Sequence, residues 1–97
     1  MNALAADQAT AERLAEVVKA LGHPMRLRIV AMLCDGDQRV IGMARSMDKP
    51  QSAVSQQLRI LRMSGLINAV KAGGEVRYTL AEPRLRDLVE CLQGCER

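Results

Sequence analysis

Aromatic residues are almost absent from this sequence of 97 residues, which contains no Phe, no Trp and a single Tyr, Tyr78. Proteins that bind single-stranded nucleic acid stack its bases on aromatic side chains, so this mode of binding is excluded. No apolar run reaches the roughly 20 residues that a membrane-spanning helix requires. Residues 1–10 also lack the basic start and apolar stretch of a secretory signal. We therefore expect a cytoplasmic protein without a membrane partner.

Groups that catalyse reactions are scarce as well. The chain has one histidine, His23, and it has neither a glycine-rich phosphate-binding motif nor a plausible trio of cysteine, histidine and acid. Its three cysteines are an odd number, which disfavours structural disulfides and favours free thiols, metal ligation or redox chemistry. We do not expect an enzyme. A small thiol oxidoreductase stays an alternative, although its usual Cys-x-x-Cys spacing is absent.

The composition that remains is that of one folded domain. Hydrophobic residues make up 48% of the chain and charged residues 26%, which is ordinary for a globular protein. We expect residues 1–97 to form a single domain whose small core a second subunit could extend. The net charge of +3 and the pI near 9.1 favour a polyanionic partner. Without stacking residues, that partner is expected to be duplex DNA.

The spacing of apolar residues predicts a mainly α-helical fold with a small β-hairpin. The expected helices cover residues 9–21, 24–33, 40–47, 50–63 and 82–93, and the expected strands cover residues 66–71 and 75–80. Only Asp48 and Lys49 separate the third helix from the fourth, which is typical of a helix-turn-helix. Because a hairpin with a Gly73-Gly74 turn follows, the order of elements predicts a winged helix-turn-helix.

The fourth helix has the features of a DNA-recognition helix. Val54, Leu58 and Leu61 recur at helical spacing and should face the core, which leaves a polar face outward. Gln can pair with adenine edges, Ser with bases or phosphate, and Arg with phosphate oxygens. In the hairpin, basic residues should lie against the neighbouring backbone or minor groove. The predicted DNA contacts are Gln51, Ser52, Ser55, Gln56, Gln57, Arg59 and Arg62 on the helix, and Lys71 and Arg77 on the hairpin.

Four segments give the chain a specific resemblance to the ArsR/SmtB family of repressors. They are LGHPMRLRI at residues 21–29, QSAVSQQL at 51–58, LRMSGLI at 61–67 and VRYTL at 76–80. The resemblance implies a homodimer built by the first and last helices, which binds a palindromic operator and leaves it when an inducer arrives. One departure is Pro50, which stands where the family often has a Ser that caps the recognition helix.

The sequence leaves open which inducer the protein senses and which residues bind it. Many family members bind metal through a Cys-x-Cys pair before the recognition helix, but here that stretch reads Arg39-Val40-Ile41. His23 is alone and is interpreted as structural. The tentative sensor residues are Cys34, Cys91 and Cys95, of which the last two stand one helical turn apart.

Two kinds of chemistry fit these cysteines. Thiolates on one helix face could hold a soft metal or metalloid, with Cys34 as a third ligand, although no cofactor is required. Alternatively, they could form a disulfide or a polysulfide bridge. The missing Cys pair and residues 51–58 resemble the BigR/HlyU-like thiol-switch branch of the family. Relative to that branch, Cys34 lies about one turn later and Cys95 slightly earlier. Cys34 and Cys91 can also be simple packing, whereas Cys95, beside Gly94 near the helix end, is interpreted as the reactive thiol.

The methionines, including Met25, Met32, Met43, Met47 and Met63, fall mostly on apolar positions and are interpreted as core filler rather than copper ligands. The alternative to a repressor is a winged-helix module that binds proteins and no longer binds DNA, since one fold can serve either role.

Overall fold

The structure confirms the predicted mainly helical fold with one β-hairpin. It is a computed structural model that describes residues 1–96. The helices are α1 (Ala3–Ala6), α2 (Gln8–Leu21), α3 (Pro24–Leu33), α4 (Val40–Met47), α5 (Gln51–Met63) and α6 (Leu85–Gly94); strands β1 (Ile67–Ala72) and β2 (Glu75–Leu80) form the hairpin. Within residues 1–96, no helix is long and apolar enough to cross a lipid bilayer.

Polar side chains define where α2 and α3 begin. The carboxylate of Asp7 accepts two backbone N–H groups of the first turn of α2, each at 3.3 Å. At the start of α3, Nδ1 of His23 accepts the backbone N–H of Met25 at 3.1 Å. Pro24 occupies the first helical position, where its missing N–H costs nothing. His23 is therefore a helix cap, which agrees with its structural interpretation.

Helix α3 lies at the centre of the subunit, in contact with α2, α5, α6 and β2. Its residues Ile29, Val30 and Leu33 are almost fully buried. They meet the apolar faces of the neighbouring elements, formed by Ala20, Leu21, Met43, Ala44, Met47, Val54, Leu58, Leu61, Leu66, Ile67 and Leu85. Met43 and Met47 are core filler as expected. Met63 departs from that interpretation, because 78% of it is exposed at the end of α5.

The chain termini differ from the sequence prediction. The short helix α1 was not expected; the side chain of Asn2 accepts the Ala5 N–H at 2.9 Å and starts it. The last helix begins at Leu85 instead of residue 82. In the turn before it, backbone hydrogen bonds join residues three apart and not four apart as in an α-helix. The Glu82 carboxylate also accepts the backbone N–H of Arg84 at 3.0 Å. This local hydrogen bond favours a turn over a helix.

The hairpin is antiparallel and pairs Ile67 with Leu80 through to Ala72 with Glu75. Gly73 and Gly74 connect the strands with φ angles of 58° and 80°, a turn that matches the twist of a hairpin and that Gly adopts without steric cost. A single residue of the α3–α4 connection, Gln38, adds to the edge of β2 through two backbone hydrogen bonds with Tyr78, of 3.1 and 2.8 Å. This bridge holds the hairpin against the helical body.

Candidate nucleic-acid interface

A left-handed residue makes the short turn between α4 and α5 possible. Asp48 has φ 53° and ψ 51°, and the N–H of Lys49 returns to the carbonyl of Ala44 at 3.0 Å. Helix α5 then begins after Pro50, without a side-chain hydrogen bond as cap. The helix thus starts at Gln51, one residue after the predicted start, and the departure at Pro50 is not compensated by a neighbouring side chain.

Helix α5 divides into a buried and an exposed face, as its sequence predicts. Val54, Leu58 and Leu61 are at most 1% exposed and fix the helix to α3 and α4. On the other side, most of the polar residues predicted to contact DNA are exposed: Gln51, Ser52, Ser55, Gln56, Arg59 and Arg62. The uncharged donors and acceptors therefore lie on the first two turns, and the cations follow nearer the C-terminal end.

Gln57 is the exception on this face. It is half-buried, and its Oε1 accepts a hydrogen bond of 2.8 Å from Nη1 of Arg26 on α3. Arg26 also donates from Nε to the carbonyl of Ala20, at the C-terminal end of α2. The sequence places Gln57 outward with its neighbours, and the structure shows that one end of its amide faces α3. A contact across 31 residues has no signal in local periodicity.

The wing, formed by β1, β2 and their turn, exposes the two predicted cations, Lys71 and Arg77. Arg77 lies 3.7 Å from the carboxylate of Glu75, and Arg39 approaches the same carboxylate to 3.5 Å. These exposed ion pairs are weak individually, but two guanidinium groups share one carboxylate, so the cluster keeps a net positive charge. Arg39, which precedes α4, is thereby joined to the wing.

Sequence reasoning missed three of the cations near the recognition helix. Arg39 borders a cavity of about 290 Å³ between the wing and Gln51. Arg45 and Lys49 border another, of about 520 Å³, beside the α4–α5 turn. The helix before a recognition helix crosses the DNA backbone in helix-turn-helix proteins, so Arg45 on α4 and the cations that flank this helix were a usable signal.

The three cysteines are free, and Cys34 lies against a face of α6 that does not include Cys91 or Cys95. Cys34 follows α3 and borders a cavity of about 370 Å³ against α6, together with Asp35, Arg86 and Glu90. Cys91 and Cys95 are exposed and lie outside this lining. Helix residues three and four apart share a face, so residues 86, 89, 90 and 93 turn toward Cys34 and the two other cysteines do not.

The single-chain version of the tentative metal site is therefore not formed. Within residues 1–96, no group of three or more His, Cys, Asp or Glu side chains is placed to hold a metal ion. Burial raises the pKa of the Cys34 thiol above its usual value; Arg86 opposes this shift, and the carboxylates of Asp35 and Glu90 add to it. The guanidinium of Arg86 donates instead to the Cys34 carbonyl, at 2.9 Å.

Comparison with known proteins decides the family. The model of the bacterial regulatory protein family arsR matches residues 23–69, from the cap of α3 into β1. The regulator NmtR of Mycobacterium tuberculosis is 36% identical over 84 residues, which are 87% of this chain and 70% of NmtR. The biofilm growth-associated repressor of Agrobacterium fabrum is 33% identical over 89 residues, 92% of this chain and 76% of that protein. The chain belongs to the arsR family.

Two solved structures share the fold over most of the length of this chain. HlyU from Vibrio cholerae superposes with a TM-score of 0.83 and 31% identity, covering 91% of this chain and 96% of that one. The winged helix-turn-helix domain of Mb0332 from Mycobacterium bovis, described as homodimeric, gives 0.79 and 26% identity over 97% of this chain and 85% of that one. The winged helix-turn-helix prediction is confirmed. As expected, the relatives are transcriptional regulators and not enzymes.

Proposed function

We propose that this arsR-family regulator is a repressor that binds duplex operator DNA as a homodimer. The observation that carries the proposal is the exposed face of α5, where Gln51, Ser52, Ser55 and Gln56 stand clear of the core ahead of Arg59 and Arg62. Gln and Ser side chains can hydrogen-bond base edges in the major groove, and Arg binds phosphates. The helix would enter the groove with its N-terminal turns, as recognition helices do.

The wing and the turn supply the phosphate contacts in this proposal. Lys71 and Arg77 would lie along the backbone on one side of the groove, while Arg45 and Lys49 would meet it on the other side. Arg39 would join the wing contacts through the shared carboxylate of Glu75. Such contacts fix the position of the protein on DNA, and they make binding depend on salt.

A second copy of the chain would complete the molecule. Helices α2 and α6 keep exposed apolar side chains, among them Leu14, Val18, Leu88 and Leu92. Burying these side chains against a second subunit would pair two α5 helices about 34 Å apart, the distance of one turn of DNA. An operator with two inverted half-sites would then be bound symmetrically.

Gel-shift titration of the DNA upstream of the chain's own gene tests this function. We expect Gln56→Ala to reduce discrimination between the operator and a scrambled duplex by about 1–3 kcal/mol. Arg59→Ala should weaken binding to both duplexes and reduce the salt slope by about one. The matched control is Gln8→Ala on α2, a similarly exposed Gln away from α5. Equal binding of operator and scrambled DNA by the unmodified chain would contradict the proposal and favour a protein-binding module.

We further propose that cysteine chemistry releases the operator. Cys34 is partly accessible beside α6, and Cys91 and Cys95 lie exposed on α6, next to the apolar side chains that would form the dimer. A soft metal, a metalloid, a polysulfide or an oxidant that joins thiols there would shift α6. Because Cys91 and Cys95 lie outside the surface of α6 that faces Cys34, any bridge between Cys34 and the other two requires movement or a second subunit.

Single Cys→Ser variants at positions 34, 91 and 95 test this part separately. Each variant should bind the operator as the unmodified chain does, and at least one should no longer release it when cadmium, arsenite, polysulfide or peroxide is added. Ser is nearly isosteric with Cys and lacks the thiol, so a change in release reports sulfur chemistry. Full release from the triple variant would remove the cysteines from the mechanism.

A further inference from the structure

The amide of Gln57 has a fixed direction in this structure. Its Oε1 accepts from Arg26 at 2.8 Å, and a guanidinium can only donate, so the oxygen must be the atom that faces α3. The amide is planar, and its amino group therefore occupies the other branch, away from Arg26. A hydrogen bond from a charged donor is stronger than a neutral one, which holds this orientation against rotation.

Arg26 is itself held from a second side. Its Nε donates to the carbonyl of Ala20, in the last turn of α2, where helix carbonyls lack an intrahelical partner and carry partial negative charge. Arg26 is half-buried, and within residues 1–96 no carboxylate forms a salt bridge with it. The guanidinium thus connects the end of α2 with the middle of α5, and its position does not depend on the side chain of Gln57 alone.

We propose that Arg26 makes Gln57 a donor-only contact to DNA, an inference that rests on the proposed function. A Gln that reads adenine needs its oxygen for the N6 amino group and its nitrogen for N7. With the oxygen turned to Arg26, only the amino group of Gln57 remains for DNA. It fits an acceptor without a neighbouring donor: O6 or N7 of guanine, O4 of thymine, or a phosphate oxygen. Arg26 is then a positioning residue, and Gln57 discriminates against adenine.

The orientation can be tested first without DNA. In the ¹⁵N-labelled protein, the Nε–H signal of Arg26 should be slow to exchange with solvent. Gln57→Met removes the acceptor and should shift the Nη and Nε signals of Arg26. Gln57→Glu keeps an acceptor oxygen and should leave these signals close to their positions in the unmodified chain. Unchanged Arg26 signals in Gln57→Met would show that the hydrogen bond does not exist in solution and would overturn the proposal.

Selection of bound duplexes from a random pool tests the consequence for DNA. Arg26→Met removes the donor and frees the Gln57 oxygen, so the base pair facing Gln57 should gain a preference for adenine of about fivefold or more. Where the amino group contacts phosphate instead, Arg26→Met should lower affinity for every duplex to the same degree and leave base preferences unchanged. The matched control is Arg28→Met, another arginine of α3, whose guanidinium reaches the Ser46 carbonyl and not α5.

The outcomes separate the inference from the function on which it rests. If Arg26→Met and Arg28→Met give the same affinities and the same selected bases, Arg26 does not orient a DNA contact. If the unmodified chain selects no sequence, the proposed function fails instead. Should Arg26→Met not fold, Gln57→Glu decides: it keeps the Arg26 contact and loses the amino group, so operator affinity should fall at least tenfold. Unchanged affinity of Gln57→Glu would overturn the inference.

Discussion

At the residue scale, His23 shows how one side chain defines where a helix begins. Its Nδ1 accepts the Met25 N–H and closes the first turn of α3, which agrees with the structural role that the sequence predicts for this lone histidine. An acceptor side chain at this position satisfies a backbone N–H that the helix itself leaves without a partner. The residue contributes to stability through the central helix of the subunit.

We expect His23→Ala to lower the free energy of unfolding by about 1 kcal/mol, because the first turn of α3 loses its capping acceptor. His23→Asn should keep most of the stability, since Asn is a favourable cap residue. Urea unfolding of the three proteins measures the difference. All three are compared at one protein concentration, because the apparent stability of a dimer depends on concentration. Equal stabilities of the Ala and Asn variants would show that the cap is not what His23 contributes.

The environment of Cys34 gives it a pH dependence of its own. Burial raises its thiol pKa, and only the thiolate reacts with alkylating agents. The folded protein should therefore alkylate Cys34 more slowly than the urea-unfolded chain at pH 8, with a rate that is still rising at pH values where the unfolded chain has levelled off. Mass spectrometry of a variant with Ser at positions 91 and 95 measures this rate. A faster reaction in the folded protein would mean that Arg86 outweighs burial.

At the scale of elements, the helix-turn-helix and the hairpin could be predicted because their signals are local. The spacing of Val54, Leu58 and Leu61 defines the buried face of α5, and Gly73-Gly74 defines the hairpin turn. The edge bridge of Gln38 and the contact from Arg26 to Gln57 could not be predicted, since each joins residues that are distant in sequence. Only the packed fold brings them together.

Asp48 forms the turn between α4 and α5 in a left-handed backbone conformation, which favours Gly. Replacing Asp48 by Gly should raise the free energy of unfolding by about 0.5–1 kcal/mol, because the left-handed backbone no longer crowds a Cβ atom. Asp48→Asn should leave stability near its original value. Both variants remove a negative charge beside Lys49 and should bind DNA more tightly at low salt. Thermal unfolding measures the change in stability, and titration with DNA at low salt measures the change in binding. If Asp48→Asn stabilised the protein as much as Asp48→Gly, backbone strain would be excluded as the cause of the gain.

At the scale of the whole molecule, one subunit leaves its two outer helices incomplete. Val18 on α2 is 66% exposed and Leu92 on α6 is 46% exposed, although both stand on the apolar faces of their helices. The sequence alone shows such faces without showing whether α3 or a second chain covers them. In the structure Leu85 lies in the core and Val89 packs against it, while Val18 and Leu92 stay uncovered. A symmetric partner covers them in the homodimer that we propose, and the solved domain of Mb0332 is described as homodimeric.

Charge placed on these uncovered side chains should separate the subunits and show whether DNA binding depends on their pairing. Each apolar side chain buried in a dimer contributes about 1.5–3 kcal/mol and occurs twice, so Val18→Glu or Leu92→Glu should raise the dimer dissociation constant at least 100-fold. For the subunit mass alone, the control is Val70→Glu, a site of similar exposure to Leu92 that lies outside α2 and α6. Sedimentation velocity gives the mass of each variant. A dimer that withstands both α2 and α6 variants would place the subunit contact elsewhere and remove the pairing of the α5 helices.

If the variants become monomers, their operator affinity should fall toward that for scrambled DNA, because a single α5 reaches only one half-site.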